Sequence, residues 1–470
     1  MKKQEVLILK IIILNGSPKS EKSVTVQSMK YLEQNYESHE FEYIQVIKEI
    51  KKYEENAEAL EALCTKVKEA DAIIWAFPLY HALVPSYYKR LIELIFKNNL
   101  EDYFLGKYTS VFSTSIHYAD IHAHNYMRAI CEDLGMNYVE YLSHDMNDLV
   151  KEKSRRELKL FFENLQTYIN EGLTTNKLFS TLSKSSFKYK SGETDRFIPT
   201  TKKIIIITDV EKEDSNLKEM IDKYKSYIKG SVEVLNLYDV DIKGPCLGCC
   251  KCAAENICAY HDKDGYRKFL DYVINNADIV IFAGTIKDRY LSSRFKLYYD
   301  RSFCYTHIPF LRSKQIGYMI SGKLSEHQNL RQILELYTGE DRNLIGFVTD
   351  ESEDSDTIDK QIYTFAKMGI SYCERNYFKP ETFLAVASRK LFADAIEGEL
   401  GAIFVADYKY YKVNGMMKKI SFKQKMQGKV MRYFMGKERF RKEVQKNAID
   451  YMITAHKKVL EKDKVKGNGK

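Results

Sequence analysis

Five of the nine cysteines fall within one short stretch of the chain. Four of them have the spacing Cys246-x2-Cys249-x2-Cys252-x5-Cys258, and Cys250 is left over. Thiolates packed this closely can wrap an iron–sulfur cluster, whereas structural zinc more often uses two pairs of ligands that are roughly a dozen or more residues apart. A redox-active Cys-x-x-C pair would use only two of them. The pattern favours a cluster and leaves structural thiols, redox thiols and zinc open.

A second candidate site lies in the sequence LNGSPKSEKSVT, where the first apolar strand gives way to a helix. Such a junction collects free backbone N–H groups and the positive end of the helix dipole, which together suit a phosphate group. Gly16 permits the tight turn that this requires. The loop adds hydroxyl groups and a positive charge from Ser17, Ser23, Thr25 and Lys19. From these residues alone, an ordinary capped helix start is an equally good interpretation.

The elements that must position these residues follow a simple alternation. Apolar strands such as KIIILN, AIIWAF and YTSVFST alternate with segments whose apolar residues recur at helical spacing. This alternation is typical of a parallel sheet that is covered by helices on both faces, and right-handed crossovers make it doubly wound. Ligands of such sheets bind at the carboxyl ends of the strands, where the glycine-containing loop lies.

The same alternation restarts after a stretch rich in Ser, Lys and Gly. KKIIIITD matches LKIIILNG, and ADIVIFAGTIKDRYLSSRFKLYYDR matches ADAIIWAFPLYHALVPSYYKRLIEL. Because both copies run from Ala-Asp through a strand and a loop to a helix with Tyr-Tyr, we interpret them as a duplicated domain. We predict a first α/β domain, a linker, a second α/β domain and a basic, mostly helical extension, at residues 1–178, 179–200, 201–380 and 381–470.

The positive charge is concentrated at one end of the chain. The net charge is +8, yet residues 409–470 hold 19 Lys and Arg against 5 Asp and Glu, so the rest of the chain is net negative. We expect this extension to pack on the acidic body, with contact to an anionic membrane surface as the less favoured alternative. No pattern typical of nucleic-acid binding accompanies it, and we expect no nucleic-acid partner.

Length and composition are those of a globular protein. The chain has 470 residues, of which 44% are hydrophobic and 29% charged, and this length favours roughly two or three domains. A membrane-spanning helix needs about 20 apolar residues, and the long apolar run near the start is nine residues long and is interrupted by Lys10. We therefore expect a cytoplasmic protein, whose reducing surroundings argue against a disulfide framework.

The sequence GSPKSEKSVT, followed by FPLYHALVPSYYKRLIEL, resembles the flavodoxin-like NAD(P)H-dependent FMN reductase family. The resemblance implies two tandem flavodoxin-like domains with FMN bound in the first. It places the FMN phosphate at Ser17, Lys19, Ser23, Val24 and Thr25. It places the flavin ring against Pro78, Leu79, Tyr80 and His81, with Thr114, Ser115 and His117 at the other edge of the ring. His117 is the candidate proton donor, and we expect His122 and His124 at the exposed start of a helix.

The cysteine stretch resembles the compact motif of the iron–sulfur flavoproteins, in which it holds a [4Fe–4S] cluster near FMN. That resemblance implies Cys246, Cys249, Cys252 and Cys258 as the ligands. The second domain has acidic residues where the first has its phosphate loop, namely Asp209, Glu211, Glu213 and Asp214, and these would repel a phosphate dianion. The first domain in turn lacks the cysteines. We infer that an ancestral homodimer was fused into one chain that kept one FMN site and one cysteine site. The second half of this chain would pack against the first as a pseudo-subunit, with its cysteine loop facing the flavin. The protein would then be a monomer or a homodimer.

The function that these observations favour is an FMN-dependent oxidoreductase. It would take electrons from NAD(P)H or from a ferredoxin-like donor and pass them to a small organic acceptor, such as a quinone, a nitro compound or a conjugated molecule. Electrons would move between hydride chemistry on FMN and one-electron chemistry on the cluster. The alternatives are a non-enzymatic electron carrier serving partner proteins and a flavin- or redox-sensing protein.

Overall fold

The computed structural model describes residues 8–183, 185–211, 215–339, 342–398, 400–417 and 422–467. Within them the chain forms two compact units. The first comprises the described part of Met1–Thr181 together with Cys246–Cys249 and the described part of the segment that starts at Val444. The second comprises Leu182–Pro245 and Cys250–Glu443.

The first unit is built on a five-stranded parallel sheet in the order β2-β1-β3-β4-β5. Its elements in chain order are β1 (Lys10–Asn15), α1 (Val24–Asn35), β2 (Glu40–Gln45), α2 (Val46–Glu55), α3 (Ala57–Glu69), β3 (Ala72–Pro78), α4 (Ser86–Lys97), β4 (Tyr108–Thr114), α5 (Asp120–Asp133), β5 (Asn137–His144) and α6 (Glu152–Glu171). The central strands β1 and β3 are buried along almost their whole length because helices cover both faces. The prediction of a parallel α/β sheet is confirmed.

The second unit repeats this strand order, β9-β7-β10-β11-β12, in a second parallel sheet. Its elements are β6 (Ile198–Pro199), β7 (Ile204–Thr208), α7 (Ser215–Tyr227), β8 (Ile228–Lys229), β9 (Val232–Asn236), α8 (Tyr266–Asn276), β10 (Ile279–Thr285), α9 (Ser293–Ser302), β11 (Gln315–Ser321), α10 (Gln328–Gly339), β12 (Leu344–Thr349), α11 (Ser355–Glu374), α12 (Phe383–Glu397), α13 (Val405–Val413) and α14 (Phe422–Met435). The short strands β6 and β8 pair with each other. The stretch interpreted as a linker contributes β6, and it buries Tyr189 in the core of this unit.

The basic extension is helical in its described part, and it ends in the long helix α15 (Glu438–Gly467). Helices α12 and α13 pack on the second unit through a small apolar cluster that includes Ile396 and Tyr411. Asp407 of α13 is fully buried, with Oδ2 at 2.6 Å from Nδ1 of His307. From Val444 onward α15 belongs to the first unit instead. Across the described ranges, no helix is both long and apolar enough to cross a membrane.

Candidate active site

The loop between β1 and α1 is held in place by short polar contacts at the carboxyl end of the first sheet. The N–H of Gly16 donates to the carbonyl of Ala76 at 2.8 Å. The N–H of Ser17 donates to Oδ1 of Asn15 at 3.0 Å, and Nδ2 of Asn15 donates to Oε1 of Gln45 at 2.6 Å. Three neighbouring strands thus fix the point at which the chain leaves the sheet.

The start of α1 has the features of an anion site. The hydroxyl-bearing residues that line it are buried: Ser17, Ser20, Ser23 and Thr25. Ser23 precedes the helix, but its side chain does not cap it, and no acidic residue occupies the first turn. The hydroxyl of Ser20 is buried and has no hydrogen-bond partner among the described residues. Uncapped N–H groups and an unsatisfied hydroxyl are costly when buried, and an anion would satisfy them.

Lys19 supplies the positive charge of this loop. Its N–H donates to Oγ of Ser17 at 3.3 Å, and its ammonium group lies 3.2 Å from Sδ of Met452. A thioether is a weak acceptor and carries no charge. Within the described ranges no carboxylate pairs with Lys19, so no negative charge neutralises its ammonium group. A lysine in this state is able to bind a phosphate.

The loop after β3 forms the second wall of the site. The N–H of Leu79 donates to the carbonyl of Thr114 at 3.0 Å, and Tyr80 forms a two-residue antiparallel bridge with Leu83. The two residues between them, His81 and Ala82, both have positive φ values, of 44° and 59°. Two consecutive positive φ values define a tight type I′ geometry that normally favours Asn and Gly. Side-chain-bearing residues there store backbone strain, which is typical of a functional loop.

The loop after β4 forms the third wall and connects back to α1. The hydroxyls of Thr25 and Thr114 share a buried hydrogen bond of 2.7 Å. Oγ of Ser115 accepts from the N–H of His117 at 2.8 Å. Nδ1 of His117 lies 2.9 Å from Oδ2 of Asp120, and because a carboxylate only accepts, Nδ1 carries the proton. The imidazole of His117 is half exposed, so its Nε2 is accessible.

The other two histidines lie at the start of α5, as predicted, but the prediction that they are exposed is wrong. His122 and His124 are buried rather than exposed, because the first turn of α5 packs against the sheet. Nε2 of His124 lies 3.0 Å from Oγ of Ser113, and its ring stacks on Tyr141 with centroids 4.0 Å apart. Burial lowers the pKa of His124 to about 4, so this residue is neutral at physiological pH.

Sequence reasoning missed two contributors to this site. One is Tyr88 of α4, whose ring packs directly on Gly16 and whose hydroxyl donates to the carbonyl of Leu14 at 2.7 Å. The other is Gly248, which has a φ of 58° and lies so close to the hydroxyl of Tyr80 that a side chain there would overlap it. The Tyr-Tyr repeat and the glycine between two cysteines were the available signals. Neither signal says which loop these residues contact.

The structure divides the predicted cluster ligands between the two units. Cys246 and Cys249 belong to the first unit, whereas Cys252 and Cys258 belong to the second. Sγ of Cys252 donates to the carbonyl of Phe303 at 3.4 Å. Within the part of the chain that the structure describes, no group of three or more His, Cys, Asp and Glu side chains is arranged to hold a metal ion.

The loop after β7 in the second unit corresponds to the loop between β1 and α1, but it carries carboxylates. Asp209 follows β7 and is buried, where it accepts a hydrogen bond from the hydroxyl of Ser292. Glu211 lies 3.9 Å from the ammonium of Lys287. Glu213 and Asp214, the other predicted carboxylates, lie outside the described residues. A buried carboxylate at the end of the first strand opposes phosphate binding there.

A parallel sheet in the order 2-1-3-4-5 that is covered by helices on both faces defines a flavodoxin-like domain. Residues 9–144 match the family described as NADPH-dependent FMN reductase. On this match the protein is an oxidoreductase, and the match supports FMN-dependent oxidation of NAD(P)H.

Solved structures resemble about a third of the chain. An NADH:FMN oxidoreductase (EMOB) in its apo form is 18% identical, covering 36% of this chain and 91% of that chain, with a TM-score of 0.29. FerB, a flavoenzyme NAD(P)H:(acceptor) oxidoreductase from Paracoccus denitrificans, is 16% identical, covering 35% and 98%, with a TM-score of 0.29. An FMN-dependent NADH-azoreductase from Bacillus anthracis, in complex with FMN, is 17% identical, covering 35% and 97%, with a TM-score of 0.22. No curated protein matches the chain.

Proposed function

We propose that this protein binds one FMN in its first unit and uses it to oxidise NAD(P)H and reduce a small organic acceptor, such as a quinone, a nitro compound or a conjugated molecule. The observation that carries the proposal is the unsatisfied anion site at the start of α1. It combines an uncapped helix with two groups that lack a partner among the residues the structure describes: the buried hydroxyl of Ser20 has no hydrogen-bond partner, and the ammonium of Lys19 has no carboxylate. These features fit the phosphate of FMN.

Bound there, FMN would supply the two-electron chemistry that links oxidation of the nicotinamide to reduction of the acceptor. The chain's own residues bind and orient it. Ser17, Lys19, Ser23, Val24 and Thr25 would hold the phosphate. The strained loop with Pro78, Leu79, Tyr80 and His81 would hold one side of the ring, and Thr114 and Ser115 would hold the other edge. The Thr25–Thr114 hydrogen bond ties the two groups of residues together, so the phosphate and the ring are oriented by one rigid frame.

His117 would supply the proton that acceptor reduction requires. Asp120 accepts from Nδ1, which leaves Nε2 as the atom that exchanges a proton with the substrate or with water. The hydroxyl of Ser143 donates to the same carboxylate oxygen at 2.7 Å and fixes its orientation. A histidine held in this way is a general acid whose position is set before the acceptor binds.

An iron–sulfur cluster would add one-electron transfer and would favour a role as an electron carrier for a ferredoxin-like partner. Among the described residues, no three of the predicted thiols form a ligand group. No step is therefore assigned to it. Assays of iron and sulfide on protein purified without oxygen test this alternative, and about four of each per chain would support it.

The two units would descend from one duplicated domain. Their sheets share the strand order 2-1-3-4-5, and the helices α4 and α9 follow the equivalent strands β3 and β10. The buried Asp209 in the second unit supports a single FMN per chain. After duplication, one copy would have kept the phosphate site and the other would have lost it.

The decisive experiment combines a flavin assay with turnover. Protein purified without oxygen is expected to contain one FMN per chain and to oxidise NADH or NADPH when a quinone or a nitro compound is supplied. The double variant S20A/K19M removes the unsatisfied hydroxyl and the charge, and it is expected to lose most of the flavin. Protein that neither retains nor takes up FMN would disprove the proposal.

A further inference from the structure

The last helix contributes a long apolar stripe to the first unit. Ile453 and His456 are almost completely buried, and Val459 and Leu460 join the core beneath the first sheet. Their spacing of three or four residues puts them on one face of α15. This part of the helix is therefore a structural element of the first unit and has a fixed position on it.

That position is next to the phosphate loop. The ammonium of Lys19 lies 3.2 Å from Sδ of Met452, and the ammonium of Lys22 lies 3.2 Å from Oδ1 of Asp450. Both lysines of the loop thus meet the same turn of α15. The carboxylate of Asp450 also lies 3.7 Å from Nζ of Lys457, and its side chain is 43% exposed.

An independent observation marks this place as a ligand site. Ser20 is 5% exposed, lies between the two lysines in the sequence and has a buried hydroxyl without a partner in the described chain. A ligand that satisfies Ser20 and neutralises Lys19 would have its phosphate beside Met452.

We propose that Met452 and Asp450 close the phosphate end of the flavin site and select the mononucleotide FMN against the dinucleotide FAD. The inference rests on the proposed function. FMN ends at its phosphate, whereas FAD continues into a second phosphate and an adenosine. That continuation would have to displace the Met452 side chain and to pass the carboxylate of Asp450, which repels the second phosphate. α15 is thus a specificity element of the flavin site, supplied from far along the chain.

The test uses the full chain stripped of flavin and titrated separately with FMN and with FAD, followed by flavin fluorescence. The wild-type protein is expected to bind FMN at least about tenfold more tightly than FAD, since steric and charge repulsion act on FAD alone. The double variant M452A/D450N is expected to reduce this ratio by about tenfold. The matched control is Y451A, which changes an intervening residue that is 59% exposed, and it is expected to keep the wild-type ratio.

A second variant, D450K, changes only an exposed charge and leaves the buried stripe intact. It is expected to strengthen FAD binding more than FMN binding. Equal strengthening of both would overturn the inference, because the charge would then act on the phosphate that the two flavins share. An unchanged FMN-to-FAD ratio in M452A/D450N, with normal FMN binding, would also overturn it. Failure of the wild-type protein to bind either flavin would instead overturn the proposed function.

Discussion

Replacing Gly16 with alanine tests whether the phosphate loop is held by the packing of Tyr88. A Cβ at this position would lie 2.7 Å from Cδ2 of Tyr88 and 3.0 Å from Cβ of Phe77. Ordinary carbon contacts are about 3.5–4.0 Å, so the overlap approaches 1 Å. The Tyr88 ring cannot move aside easily, because it is fully buried, packs edge-on against Trp75 and is tied to Leu14 through its hydroxyl.

The overlap is therefore relieved by displacing the loop. Overpacking of a rigid core costs about 1–3 kcal/mol, which corresponds to a fall of several degrees in the melting temperature of a unit of this size, on the order of 2–4 °C per kcal/mol. Because the displaced loop carries Ser17 and Lys19, FMN affinity is expected to fall by about tenfold or more.

Thermal unfolding and fluorescence titration with FMN measure the two effects. G339A is the matched control, because a Cβ at Gly339 would meet its nearest neighbour at an ordinary 3.8 Å and that residue ends a helix. It is expected to leave both quantities nearly unchanged. If G16A kept both the melting temperature and the FMN affinity of the wild type, Tyr88 would not be the residue that positions this loop.

Three further predictions concern the same unit. K19M is expected to weaken FMN binding by roughly 10- to 100-fold, because it removes a charged hydrogen bond worth about 1.5–3 kcal/mol. K22M changes a lysine whose side chain is 58% exposed, and it should alter FMN binding less than about threefold. Equal losses of affinity in a fluorescence titration would contradict the assignment of Lys19 to the phosphate. Because the pKa of His124 is about 4 in the folded protein and about 6.5 when unfolded, the unfolded state binds more protons between these values. The contribution of His124 to the free energy of unfolding is therefore complete above pH 6.5 and is lost progressively, by up to about 3 kcal/mol, as the pH falls towards 4. The variant H124Q should reduce this pH dependence when the free energy of unfolding is measured by urea titration. T25V breaks the buried hydrogen bond between Thr25 and Thr114 and should lower the free energy of unfolding by about 1–3 kcal/mol. T65V, on an exposed helix surface, should change the free energy of unfolding by less than about 0.5 kcal/mol. A similar effect of both variants would refute the structural role of the Thr25–Thr114 hydrogen bond.

The sheet architecture could be predicted from the sequence because it depends on local patterns. Strands that are buried on both faces read as continuous apolar runs, as in KIIILN and IIIIT, and the helices between them carry apolar residues at regular spacing. Parallel pairing and strand order follow from the alternation and from right-handed crossovers. The loops after β1, β3 and β4 therefore had to meet at one edge of the sheet.

The rest of the site depends on contacts between residues that are distant in sequence, and those contacts leave no local pattern. The polar stretch HYADIHAH suggests an exposed helix start, yet His124 is buried because Ser113 and Tyr141 offer it a hydrogen bond and a stacking partner. The approach of Gly248 to Tyr80 and of Met452 to Lys19 depends on tertiary packing alone.

The participation of α15 in the first sheet also sets an order of events during synthesis. Val459 and Leu460 belong to the same core cluster as Leu9 and Ile11, so the first unit cannot complete its core until α15 has emerged from the ribosome. At translation rates of about 5–20 residues per second, synthesis of the stretch between α6 and Val459 takes on the order of 15–60 s. During that time the nascent first unit exposes apolar surface that α15 later covers. Completion of its fold is thus delayed until α15 has been synthesised.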